Sequence, residues 1–213
     1  RAPVNALNAA GWNGLAAEIA ALGQRRDVRV IVIRAENRGF CAGVDIKELA
    51  ANDKLIVQVN AGNYATFKAV HRNPVPVVVA VHGFVLGGGI GITGAADIVV
   101  ASECATFALP EVDRGAMGGG AHLQRLFPVQ KVRYLFFTGE KITAQEADRY
   151  GFIERIVPKA ELRAAGAQTI YHSPEALGKA LLPGHVVLQI RGLRRNHPRN
   201  DLEETALPLQ FFA

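Results

Sequence analysis

The stretch VVVAVHGFVLGGGIGITGAADIVVAS, residues 77–102, decides the fold class. Its first five residues are apolar and mostly β-branched, the composition of a strand buried on both faces in a parallel sheet. Gly87, Gly88 and Gly89 then introduce a short helix, and DIVVA at 97–101 returns as a strand. A buried strand, a glycine-rich turn, a helix and another buried strand are the repeating parts of α/β architecture with parallel pairing.

The same alternation extends in both directions. Upstream, Leu15, Ile19 and Leu22 recur at helical spacing, so residues 8–22 read as an amphipathic helix, and VRVIVIR at 28–34 reads as a buried strand. A turn at 37–39 precedes FCAGVDIKEL, a glycine-containing loop running into a helical pattern. Residues 55–71 form another helix, stopped by Asn73-Pro74-Val75-Pro76. Downstream, residues 121–137 are helical with a break at Pro128, Thr143 and Glu146 fit a capping box, and 152–157 is a strand. Beyond residue 160 the pattern loosens. A core is expected over residues 1–160 and a C-terminal helical, oligomerisation region over 161–213; the apolar ending LPLQFFA is expected either to dock against a partner subunit or to lack residues that belong beside it.

With 213 residues, 49% of them hydrophobic, the chain suffices for one core. No apolar run reaches the ~20 residues of a membrane span and no signal peptide opens the chain, so a cytoplasmic location and no membrane partner are expected. The two cysteines, Cys41 and Cys104, fit neither a metal nor a redox motif and read as reduced thiols. The six histidines show no ligand spacing; His71, His82 and His122 read as packing or capping residues, and no metal is expected. Much of the net charge of +5 lies in Arg191, Arg194, Arg195 and Arg199. No aromatic residues interleave them, which favours a solvated face or a phosphate anchor over nucleic acid.

Three loops carry the chemistry. Gly89, Gly91 and Gly94 satisfy the dinucleotide pattern G-x-G-x-x-G after a strand, but the helix is too short, and no acid closes the second strand at the required spacing. The alternative use of such a turn is anionic: unpaired N–H groups at a helix start stabilise a developing oxyanion. A second donor is then needed, and the loop Phe40-Cys41-Ala42-Gly43-Val44-Asp45 is its natural supplier. The third loop, LPEVDRG at 109–115, offers Glu111 and Asp113, two carboxylates held between a proline and a glycine, suited to acid–base work if buried.

GFCAGVDIKEL, VHGFVLGGGIGI, ADIVVASECATFALPEVDRGA and LFFTGEKITAQEADRYGFIERIVP together resemble the crotonase (enoyl-CoA hydratase/isomerase) family in motif and order. The early segment Pro3-Val4-Asn5-Ala6-Leu7 is similar to the family's N-A-L segment, which would start the chain one strand into the domain. The resemblance implies a crotonase-type spiral of ββα units, homotrimers or hexamers, and an acyl-CoA substrate with coenzyme A entering as part of it and no resident cofactor. It implies oxyanion N–H donors at Val44 and Gly88, CoA contacts at Ala42, Gly43, Asp45, Ile46 and Gly87, and Glu111 as the acid/base with Asp113 assisting. The arginines near the C-terminus would meet CoA phosphates.

One departure decides among the family's reactions. Hydratases of the family use two glutamates; the second corresponds to Glu111, and the first falls on Gly91, which has no side chain. Isomerase-like proton transfer and C–C cleavage of a cyclic keto-acyl-CoA need only one carboxylate, and together they outweigh simple hydration. The motifs also resemble a subgroup linked to steroid-ring degradation, in which Gly91 would leave room for a bulky polycyclic substrate. A non-catalytic or RNA-binding member of the fold is the reading from another class, supported only by the basic tail.

Overall fold

The structure is a computed structural model that describes residues 3–115, 118–169, 185–190 and 204–206. Its large sheet has the order β7-β4-β2-β1-β8-β9, from strands β1 (Val30–Ala35), β2 (Val77–Val81), β4 (Ile98–Ser102), β7 (Ile153–Val157), β8 (His185–Ile190) and β9 (Glu204–Ala206). Strands β7, β4, β2, β1 and β8 pair in parallel, and β9 closes the edge antiparallel to β8. A small sheet of order β3-β5-β6 holds β3 (Phe84–Leu86), β5 (Thr106–Ala108) and β6 (Ile142–Thr143). The units β2–β3 and β4–β5 each put one strand in either sheet before turning into helix, which is the ββα spiral.

The apolar runs are buried on both faces, and the pleat sorts them. Ile31, Ile33, Val77, Val79, Val81, Val99 and Ala101 face the main core. Val30, Val32, Val78, Ala80 and Val100 face the other side, covered by Leu162 and Ala165 of α8 (Leu162–Gln168). Against the main face lie α1 (Ala9–Gln24) and α3 (Ile56–His71). In α1 the buried Trp12, Leu15, Ile19 and Leu22 recur at three and four, and Asn8 caps its start by accepting from the Gly11 N–H at 2.8 Å. Thr66 of α3 donates its hydroxyl to the Trp12 carbonyl at 2.9 Å, locking the two helices together.

The chain also forms α2 (Ile46–Ala51), α4 (Gly88–Ala95), α5 (Gly120–Leu123), α6 (Val129–Thr138) and α7 (Ala144–Asp148). The break expected at Pro128 separates α5 from α6, and the expected Thr143–Glu146 capping box opens α7 with both of its hydrogen bonds formed. The region expected to be helical after residue 160 is corrected where it is described: it opens on α8 and then supplies β8 and β9, which extend the core sheet, while the expectation for residues 170–184, 191–203 and 207–213 falls outside the described residues. HVVLQI at 185–190 is the β-branched run that permits this. Among the described residues, no helix is long and apolar enough to cross a membrane.

Candidate active site

The loop at 41–45 is strung between two segments. On one edge Leu7 donates to the Gly43 carbonyl and accepts from Asp45 N–H, both at 2.9 Å. On the other, Leu86 N–H donates to the Cys41 carbonyl at 2.9 Å, and Cys41 bridges Val85 of β3. Because Gly43 and Asp45 spend their groups on Leu7, backbone alternation turns the Val44 N–H to the opposite edge, toward the glycine turn. There Gly43 abuts the start of α4: a β-carbon on Gly43 would stand 2.9 Å from Gly88 N. Gly43 has φ of +84° and Gly87 φ of +51°, backbone that strains any side chain.

Neither the Val44 N–H nor the Gly88 N–H has a hydrogen-bond acceptor among the described residues. Gly88 is the first residue of α4, so its N–H has no partner within the helix and lies at the positive end of the dipole. Two unspent donors therefore border one small space, an arrangement that suits a developing oxyanion.

Glu111 closes that space. It follows β5 and the fully buried Leu109 in a 3₁₀ turn, Pro110–Arg114, with Pro110 opening the turn. Its Oε1 lies 2.6 Å from where a Gly87 β-carbon would stand, and its Oε2 is buried without a hydrogen-bond partner. Burial, opposed more weakly by a hydrogen bond to its own backbone, holds the carboxyl above the usual glutamate range. A carboxyl so placed holds its proton more readily than an ordinary glutamate, a property suited to acid–base work.

The structure brings Val44, Gly43, Gly87, Gly88 and Glu111 together. Ala42 is half-buried beside them, its N–H given to the Val4 carbonyl and its own carbonyl unused by backbone donors among the described residues. Asp45 is buried and caps α2, accepting from Lys47 N–H at 3.1 Å, while Ile46 is 54% exposed. Asp113 is exposed and sits on the far side of the 3₁₀ turn: its carboxylate oxygens lie 3.5 and 3.6 Å from a β-carbon position on Gly139. It is not brought beside Glu111. Residues 191, 194, 195 and 199 lie outside the described residues.

Gly91 carries the main correction. It leaves no vacancy, because the Phe67 ring of α3 fills the place: a β-carbon on Gly91 would stand 2.2 Å from Phe67 Cζ. Phe67 in turn makes edge contacts with Trp12 at 5.8 Å and His122 at 4.5 Å between ring centroids. Gly88, Gly91 and Gly94 share one face of α4, on which Trp12, Phe67 and the His122 carbonyl respectively pack. These three residues, and the buried Asn5 that holds the loop before Cys41, are absent from the sequence-predicted site. Only Asn5 had a local signal, the N-A-L segment. Cys41 is buried, accepts from Gly43 N–H at 3.3 Å, and has its thiol pushed up to about 11 by burial, which makes it inert packing. Cys104 is an exposed free thiol. No group of three or more metal-binding side chains converges among the described residues.

Residues 1–178 match the sequence model of the enoyl-CoA hydratase/isomerase family. The chain is 49% identical over 162 residues to a (7aS)-7a-methyl-1,5-dioxo-2,3,5,6,7,7a-hexahydro-1H-indene-carboxyl-CoA hydrolase of Rhodococcus jostii, covering 75% of this chain and 63% of that protein. The Mycobacterium tuberculosis hydrolase of the same description is 45% identical over 165 residues, 76% of this chain and 67% of that one. A solved enoyl-CoA hydratase from Bacillus anthracis superposes with a TM-score of 0.73 at 31% identity, over 77% of this chain and 66% of the other. The chain thus spans about two thirds of the length of these relatives. With the ββα spiral, the paired donors and the family match agreeing, the chain belongs to the enoyl-CoA hydratase/isomerase family.

Proposed function

We propose that this chain is the core of a hydrolase that opens a carbon ring of a cyclic keto-acyl-CoA. The observation that carries the reading is the single carboxylate: among the described residues Glu111 is the one brought to the donor pair, and Phe67 occupies the place where a hydratase would need its other glutamate. Similarity points the same way, since identity is 49% to a dioxo-indene-carboxyl-CoA hydrolase and 31% to the solved hydratase.

In this reading the thioester oxygen sits between the Val44 and Gly88 N–H groups, and CoA runs past Ala42, Gly43, Asp45, Ile46 and Gly87. Glu111 takes a proton from water as the hydroxide oxygen bonds to the ring ketone carbon. The resulting tetrahedral adduct collapses, breaking the bond between that carbon and the α-carbon of the thioester. The electron pair leaves as a thioester enolate, held by the two donors, and Glu111 returns the proton to the α-carbon. One water is consumed and a carboxylic acid is released on the opened ring. Removal of one oxyanion donor in such sites costs about 3–4 kcal/mol in the barrier, so the paired N–H groups are the largest contribution.

The reading needs no resident cofactor and includes a cytoplasmic homotrimer or hexamer. The exposed Ile56, Val57 and Tyr64 on α3 support association through that helix. The test is product mass after incubation with the dioxo-hexahydroindene-carboxyl-CoA and, separately, with 2-enoyl- and 3-enoyl-CoA. Gain of one water with a new acid on the cyclic substrate, and none on 2-enoyl-CoA, is the expected result. Hydration of 2-enoyl-CoA with an intact cyclic substrate would overturn the reading.

A further inference from the structure

His122 lies on α5 against Phe67, and the mechanism above makes no use of it. Its ring is half-buried. Nδ1 is fully buried without a hydrogen-bond partner, while Nε2 is the ring's accessible nitrogen and is also unbonded among the described residues. The ring makes an edge contact at 4.5 Å with Phe67, whose tip covers Gly91. At a rise of 1.5 Å per residue, Gly91 lies about 4.5 Å further along α4 than the Gly88 donor. His122 thus edges the ring that covers Gly91, about one turn of α4 past the Gly88 donor. Trp12, on the other flank of Phe67, is fully buried and out of a ligand's reach.

The tautomer follows from burial. Desolvation first, then the charges of Arg125 and His71, hold the imidazole below its usual range, so the ring is neutral at pH 7. A buried N–H without an acceptor costs more than a buried lone pair, which leaves the lone pair on Nδ1 and the proton on Nε2. His122 consequently offers one fixed donor beside an aromatic face.

We infer that His122 is a specificity-determining residue whose Nε2–H donates to a ring ketone oxygen of the acyl group, laid against Phe67 above Gly91. The inference rests on the cyclic keto-acyl reading and names how that class of substrate is told from hydrocarbon acyl groups. A site built to hydrogen-bond a substrate oxygen rejects the analogue lacking it.

The test compares binding of two thioesters by calorimetry: the dioxo-hexahydroindene-carboxyl-CoA and its counterpart with the ring ketones replaced by methylene. Wild type should prefer the dioxo compound by ~10-fold, the measure of one good hydrogen bond. His122→Phe keeps the ring contact and removes the donor, and should abolish that preference by weakening only the dioxo compound. His122→Gln, which retains an N–H of similar reach, should restore most of it. Should His122→Phe fail to fold in circular dichroism, the Gln variant against wild type and the wild-type preference still decide. No preference in wild type, or equal affinity changes for both compounds in the variants, would overturn the assignment. All of these titrations are made in the Glu111→Gln background so that the dioxo compound is not consumed, and turnover of the Glu111 protein is assayed separately; a chain that shows the preference yet leaves the ring closed fails the ring-opening reading alone.

Discussion

The Glu111 carboxylate rests on the bare α-carbon of Gly87, with Oε1 2.6 Å from the position a β-carbon would take. Gly87 is also held at φ of 51° and ψ of −114°, where any side chain is strained. Gly87→Ala therefore fails twice. Strain of this kind costs about 1–3 kcal/mol of stability, measured by denaturant unfolding. The displaced carboxylate should lower turnover by more than ~10²-fold, beyond what the stability loss accounts for. Normal turnover in a destabilised variant would remove this contact from the site.

Glu111→Gln keeps the shape and deletes the proton exchange. Turnover should fall by at least ~10²-fold while acyl-CoA binding stays nearly intact, as single-turnover kinetics and calorimetry would show. Retention of more than about a tenth of the activity would take the base role from Glu111.

Burial raises the Glu111 carboxyl above the ordinary glutamate value, and the sign of two pH effects follows. As a base it must be ionised, so kcat/KM should rise with pH through a limb lying above the ordinary carboxylate range. For stability the direction is opposite. Between the unfolded and the raised folded value the native state binds more protons, so its stability falls as pH rises through that window. Wild type should show this fall relative to Glu111→Gln in denaturant titrations at successive pH values; parallel curves for the two would refute it.

Much of this was legible because it was written locally. The runs at β1, β2 and β4, the Asn8 start of α1 and the Thr143–Glu146 box are each contained in a few neighbouring residues. The small sheet was not legible, because β3, β5 and β6 are two or three residues long and exist only through pairing across distant segments. The donor loop and Glu111 were found through motif likeness, but their approach to Gly87 and Gly88 is a tertiary fact. Gly91 shows the difference best. Sequence reveals that a carboxylate is missing, and nothing near residue 91 announces that a ring from residue 67 takes its place.

That ring gives a stability prediction. A β-carbon on Gly91 would collide with Phe67 Cζ at 2.2 Å, so Gly91→Ala should cost about 1–3 kcal/mol through overpacking. Phe67→Ala alone should cost about 3–5 kcal/mol, somewhat less for a half-buried ring, by emptying the same space. Because one change makes room for the other, the double variant should be more stable than the sum of the two losses predicts, by about 0.5–3 kcal/mol in a double-mutant cycle. Strict additivity would mean that the two positions do not share this space.

Asn5 sits far from the reacting groups yet sets where one donor stands. It is fully buried, with φ of 53°, and its Nδ2 donates to the carbonyls of Glu36 at 2.7 Å, Gly39 at 2.9 Å and Phe40 at 3.4 Å. This pins the chain immediately before the 41–45 loop that orients Val44. Asn5→Ala leaves those carbonyls without their donor and should cost about 1–3 kcal/mol. Asn5→Asp should cost more than Asn5→Ala, since an acceptor-only carboxylate would face the same carbonyls. Hydrogen exchange at the Val44 amide should quicken in both variants, while exchange in β7, three strands from β1 in the large sheet, changes only by the global loss of stability. Unchanged Val44 protection in a destabilised variant would separate Asn5 from the loop and leave it a core residue.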